Sequence, residues 1–94
     1  MDARLKAEEI ARRGREIYER DIRSEKFDRE HDGEFLVVDA TTGDYIVDPD
    51  DDEAFDRMEE RNPDGLFYLM RVGRSVGRKA AHRIGGAGLR RPPA

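Results

Sequence analysis

Apolar positions along this chain change period from segment to segment, and the changes predict its elements. Leu5, Ile10, Ile17, Tyr18 and Ile22 recur near one stripe of a 3.6-residue helix, with arginine and glutamate elsewhere, so the spacing predicts an amphipathic helix over 2–25. Glu8 with Arg12, Glu9 with Arg13 and Glu16 with Arg20 run acid before base four residues apart, each pair adding ~0.3 kcal/mol. Gly14 stands mid-helix, where alanine is better by about 1 kcal/mol. Its presence implies either a bend or the close approach of another backbone. Residues 24–33 are polar, end in His31-Asp32-Gly33, and read as a loop.

The period then shortens. Phe35-Leu36-Val37-Val38 marks a short buried strand within 34–39, and Tyr45-Ile46-Val47 a second within 44–48. Between them Thr41-Thr42-Gly43-Asp44 supplies a glycine for the positive φ of a tight hairpin turn. Ala54, Phe55 and Met58 share one helical face, which predicts a helix over 50–61. That helix ends by Asn62, because Pro63 disfavours α conformation in the residue before it and Asn62-Pro63-Asp64-Gly65 is turn chemistry. Leu66 to Val72 has no breaker and predicts a third strand over 66–72. The expected fold is α+β in the order α-β-β-α-β, a single small domain over 1–73. Beyond it, glycine at 73, 77, 85, 86 and 88 and proline at 92 and 93 mark 74–94 as a basic, partly ordered tail. Val76, Ala80, Ala81 and Ile84 suit one face of a short helix within it.

Composition narrows the classes. At 94 residues the chain has room for one domain with a small core. It is 36% hydrophobic and 43% charged, enough for packing in the middle but not throughout. The absence of cysteine excludes disulfide scaffolds and thiolate metal sites. Neither a leader peptide nor a membrane span is visible, so the cytoplasm is expected. Charge adds more than its sum of −4: residues 34–66 carry twelve acids against Arg57 and Arg61, whereas 67–94 carry seven bases and no acid. An acidic body with a cationic arm suits contact with a polyanion, a membrane or an acidic partner.

Candidate chemistry is sparse. Asp48, Asp50, Asp52, Asp56 and Glu59 match the ligand spacing of an EF-hand calcium loop, but the obligatory glycine is replaced by Glu53, an aromatic Phe55 intrudes, and a strand precedes the run. Acids capping a helix N-terminus explain the run without a metal. Gly85-Gly86-Ala87-Gly88 lacks the lysine and hydroxyl of a phosphate loop, and His31 and His82 share no ligand spacing. No cofactor and no catalytic residue is expected; a chain this short offers little room for a pocket that shifts a carboxyl pKa.

The segments Gly33 to Asp39, Thr42-Gly43-Asp44-Tyr45, Asn62-Pro63-Asp64, Tyr68 to Gly73 and Arg83-Ile84-Gly85-Gly86 together resemble a family of short uncharacterised bacterial proteins, over roughly residues 8–86. The resemblance implies a small α+β companion protein, antitoxin-like in role. Together these readings lead to the expectation of a non-enzymatic module that binds a protein partner or assembles with itself as a homo-oligomer, away from membranes. Its expected contacts are Ile10, Ile17, Tyr18 and Ile22, with Arg71, Arg74, Arg78 and Arg83 as charged partners, since three strands need cover from the first helix or from a second copy. Sheet edges at Tyr45–Val47 or Leu66–Val72 offer strand pairing. The alternative is a nucleic-acid-binding accessory protein using Arg74, Arg78, Lys79, Arg83, Arg90 and Arg91.

Overall fold

Strands that are apolar on both faces of the pleat must sit mid-sheet between two covering layers, and the runs at 35–38 and 66–70 do so. A computed structural model describes residues 7–73 and 83–86. Helix α1 (Ala7–Ile17) continues into a π-helical turn (Tyr18–Ile22), followed by helix α2 (Glu25–Glu30), strands β1 (Phe35–Asp39) and β2 (Tyr45–Asp48), helix α3 (Asp51–Arg61), and strands β3 (Phe67–Arg71) and β4 (Arg83–Gly85). The strands form one antiparallel sheet in the order β2-β1-β3-β4. The α+β class and the order of its predicted elements hold.

Each side of the sheet has its own cover. Val37, Ile46, Phe67 and Leu69 pack beneath Ala54, Phe55 and Met58 of α3, where the Phe55 and Phe67 rings meet edge to face at 5.6 Å. On the opposite side Ile17, Tyr18 and Ile22 pack on Leu36, Val38 and Val72, and Ile10 on Tyr68 and Leu66. Each large aliphatic side chain so buried contributes about 1.5–3 kcal/mol of transfer free energy. Gly43, at φ +83°, makes the expected hairpin turn.

Several expectations change. The first helix does not run unbroken over 2–25: residues 1–6 lie outside the described residues, and the regular helix stops at Ile17. The Arg23 N–H donates to the Tyr18 carbonyl at 2.7 Å, five residues back, which defines the π turn. An α-helix would continue the stripe Ile10, Gly14, Ile17 at position 21, which is an aspartate. The extra residue lodged in a π turn delivers Ile22 to the core instead and leaves Asp21 exposed. The surface pairs also differ from those expected: Arg12 meets Glu9 and Glu16, at 4.0 and 3.8 Å, and Arg20 meets Asp21 at 3.0 Å.

The loop expected over 24–33 contains α2, started by Ser24, whose hydroxyl oxygen accepts the Phe27 N–H at 2.9 Å. Residues 83–85 are a strand, with Ile84 paired opposite Tyr68, and not the end of a helix; residues 74–82 lie outside the described residues. Strand β3 is flanked on both sides, so it is not an edge, and of the two edges expected only β2 is one.

Gly14 marks neither a bend nor a backbone crossing. A Cβ there would lie 2.6–2.8 Å from Cδ2, Cβ and Cγ of Tyr68, so the Tyr68 side chain occupies the space. Gly14→Ala raises helix propensity by about 1 kcal/mol yet overpacks a closed core, which costs about 1–3 kcal/mol or more. The expected net result is a lower thermal midpoint, by several degrees in a domain this small. An unchanged or higher midpoint in a calorimetric melt contradicts that close approach.

Candidate functional site

The predicted apolar contacts lie inside the molecule. Ile10, Ile17, Tyr18 and Ile22 are 0%, 8%, 6% and 8% exposed, so the first helix covers the sheet of its own chain and leaves these side chains no surface to offer. Arg71 is exposed but engaged: its Nε donates to the Gly33 carbonyl at 3.1 Å and its guanidinium carbon stands 5.2 Å from the centre of the Phe35 ring. Arg83 falls in β4, and Arg74, Arg78, Lys79, Arg90 and Arg91 lie outside the described residues.

Tyr18 donates its phenol hydrogen to Asp28 Oδ1 at 2.5 Å and so ties the π turn to α2. Burial foremost, then the hydrogen bond to Asp28 and its negative charge, raise the phenol pKa well above the ordinary 10.0. The folded protein thus holds this proton more tightly than the unfolded chain does. The corresponding stability is whole below about pH 10 and declines as pH rises above it.

The acidic run is a helix start. Asp50 Oδ1 accepts the Glu53 N–H at 3.0 Å, Asp48 Oδ1 accepts the Asp50 N–H at 2.9 Å, and Asp51 Oδ1 accepts the Asp52 N–H at 2.9 Å. Carboxylate oxygens of Asp50, Asp51 and Asp52 come within 4.8 Å of one another. The EF-hand spacing is not an EF-hand loop, because Asp51–Arg61 is already helix and carries Asp56 and Glu59 down its axis. A surface depression of about 510 Å³, open to solvent, is lined by Arg12, Arg15, Glu16, Glu19 and Arg20. Its mixed charge gives it no selectivity for either sign.

What does converge is the acidic edge formed by β2 and α3. Arg61 Nη1 contacts Asp44 Oδ1 at 3.0 Å and Arg57 Nη1 contacts Asp48 Oδ2 at 3.0 Å, so α3 is pinned along β2 by its only two bases. Residues 44–64 otherwise hold ten acids. Among the described residues Tyr45 is the exposed large hydrophobic side chain, at 42%, with its ring edge-on to Phe27 at 6.3 Å. Phe27 in turn stacks at a tilt on His31, whose Nδ1 lies 2.8 Å from Glu34 Oε1.

Asp39 holds this edge in place, and nothing in the sequence reading gave it a role. It is the buried charged side chain of the core, at 0% exposure. Its Oδ1 accepts the Thr41 N–H at 2.8 Å and the Thr41 hydroxyl at 2.6 Å, and its Oδ2 accepts from Asn62 Nδ2 at 2.8 Å. One carboxylate thereby joins the β1–β2 turn to the end of α3. The available signal was an acid directly between the apolar run and Thr-Thr-Gly, a pattern in which the side chain bonds the backbone two residues on.

No protein-family model, no curated protein and no solved structure matches the chain. No described helix is long and apolar enough to cross a membrane.

Two outcomes follow for these residues. Asp39→Ala leaves the Asn62 amide and the Thr41 donors without their acceptor and costs about 2–4 kcal/mol in denaturant unfolding; a loss under about 0.5 kcal/mol would show that the clasp is unimportant. Tyr18→Phe costs about 1 kcal/mol at neutral pH. It also removes one component of the decline in stability above about pH 10, so the wild-type advantage shrinks with rising pH. Parallel curves for the two proteins contradict this account of the phenol.

Proposed function

We propose that this chain is a non-enzymatic protein-interaction module whose partner is cationic. The observation that carries the reading is the concentration of ten acids on 44–64 beside a sheet edge bearing exposed Tyr45. Aromatic anchors within charged surroundings are the usual composition of a binding surface, and a one-sign field steers an oppositely charged partner. The resemblance to antitoxin-like bacterial companion proteins points the same way, toward one half of a two-protein system in the cytoplasm, a compartment in keeping with a chain lacking cysteine. Because α1 and α3 cover both faces of the sheet from within the chain, hiding its core requires no second copy, which favours a hetero-partner over self-assembly.

The alternative, nucleic-acid binding through the basic C-terminal segment, rests on charge alone. Both readings are tested by fluorescence anisotropy with an alternating Lys-Val peptide, an alternating Glu-Val peptide and generic duplex DNA, each across a salt series. The expected result is affinity for the Lys-Val peptide, none for the Glu-Val peptide, and loss of at least tenfold in the charge-reversed variant Asp56→Lys/Glu60→Lys. Duplex binding with a steep salt slope, and no peptide binding, overturns the proposal in favour of the nucleic-acid reading.

A further inference from the structure

The outer side of β2 has unused backbone groups, and the alternation of the ladder says which. The Asp39 N–H donates to the Asp44 carbonyl at 2.8 Å, so Asp44 faces β1; by the two-residue alternation of an antiparallel pair Ile46 and Asp48 do the same. Tyr45 and Val47 therefore turn their backbone groups outward. The Tyr45 N–H is already taken by Asp44 Oδ1 at 2.9 Å. Among the described residues none bonds the Tyr45 carbonyl or the N–H and carbonyl of Val47, three groups in a row. Side chains alternate in the opposite sense: Ile46 lies on the α3 side and so do Asp44 and Asp48, whereas Val47 and Tyr45 lie on the side of α2 and Phe27.

Charge selects the occupant of this edge. In the full-overlap pairing of β2 with a second copy of itself, Tyr45 opposes Val47 and Asp44 stands directly opposite Asp48, a like-charge juxtaposition that destabilises a sheet pair. Sliding the pairing by two toward the helix sets Tyr45 opposite Pro49, which has no N–H to give. An incoming strand with lysine or arginine at alternate positions meets the reverse situation. Its bases fall on the α3 side beside Asp44 and Asp48, where Glu53 and Glu60 share a helical stripe with Arg57 and leave that side net acidic. Its other face carries apolar residues against Tyr45 and Val47.

We propose that β2 is the docking edge for an extended cationic segment of a partner protein, which adds antiparallel to Tyr45–Asp48 as a fifth strand. This rests on the interaction-module reading and specifies where and how the partner binds. Backbone bonds to Val47 and Tyr45 supply register, and the alternate bases supply selectivity.

The test compares the alternating Lys-Val peptide with the same peptide N-methylated at every valine, which keeps its charge and removes the donors that reach the edge. The expected result is at least tenfold weaker binding of the methylated peptide, and slowed hydrogen exchange of the Val47 amide on addition of the unmodified one. Val47→Pro removes the outward N–H of residue 47 and is expected to weaken the unmodified peptide at least fivefold. Because that N–H points outward the substitution suits an edge strand, and a thermal melt verifies its fold; Tyr45→Lys, expected to weaken the unmodified peptide at least fivefold, is the second variant. Equal affinity for both peptides with Val47 exchange unchanged overturns the edge assignment while sparing the interaction module. Failure of both peptides to bind overturns both readings.

Discussion

Burial of β1 and β3 on both faces is the constraint from which the other elements take their places. A strand with one wet face can alternate polar and apolar residues, but Leu36, Val37 and Val38 are all fully buried, as are Phe67 and Tyr68. Two layers must therefore cover the sheet. With α3 supplying the first, the N-terminal helix has to supply the second, and the stripe running from Ile10 to Ile22 has to stay in phase over a longer path than an α-helix allows. The π turn solves that phase problem at the cost of irregular hydrogen bonding, and the bond from Tyr18 to Asp28 ties the irregular turn to the start of the next helix.

The second requirement is polar. The β1–β2 turn and the α3–β3 turn converge at one end of the sheet, where buried amides need acceptors. Asp39 meets that need with both carboxylate oxygens, and its backbone carbonyl also accepts the Gly43 N–H at 2.8 Å. A carboxylate with these contacts is more than tolerated in a core: it sets the separation of β2 and α3, and with it the distance over which Arg57 and Arg61 reach Asp48 and Asp44. The acidic edge is thus built from the inside outward.

How legible this was in the sequence depended on the range of each signal. Elements encoded by neighbours in the chain were readable: the Gly43 turn, the Asp50 cap and the stop at Pro63 each act over three or four residues, and β1, β2, α3 and β3 fell within a residue of their predicted ends. Features decided by distant packing were not. Gly14 is small because Tyr68 lies against it, a contact that joins residues far apart in the chain. Strand β4 has three residues and a glycine, and its identity comes from pairing with β3 and from nothing local. Ser24 was a readable cap, but without a glutamate or glutamine three residues on it lacked the fuller capping signature, and Phe27 stands there instead. For the site, apolar residues at helical spacing were assigned to a partner, when the same spacing equally serves an internal core; only the placement of α1 on the sheet separates the two.

That placement changes what charge can mean in this molecule. With the core enclosed, the described residues offer Tyr45 as their exposed large hydrophobic side chain, and the sheet ends in two edge strands, β2 and β4, of which β2 is the longer. Protein edges are commonly blunted by charge to prevent indiscriminate pairing, and β2 carries that protection: it is short, flanked by two aspartates, with one N–H capped by its own neighbour. Under the proposed docking that protection is one-sided, since carboxylates that oppose an acidic strand favour a basic one. Discrimination of this kind needs a repulsive element as well as an attractive one, and at β2 the same two carboxylates serve as both. Arg57 and Arg61 pair with Asp48 and Asp44, while α3 keeps an excess of acids over these two bases. In the proposed docking, the carboxylates that would oppose each other in a full-overlap pairing of two copies are the ones that meet the partner's bases.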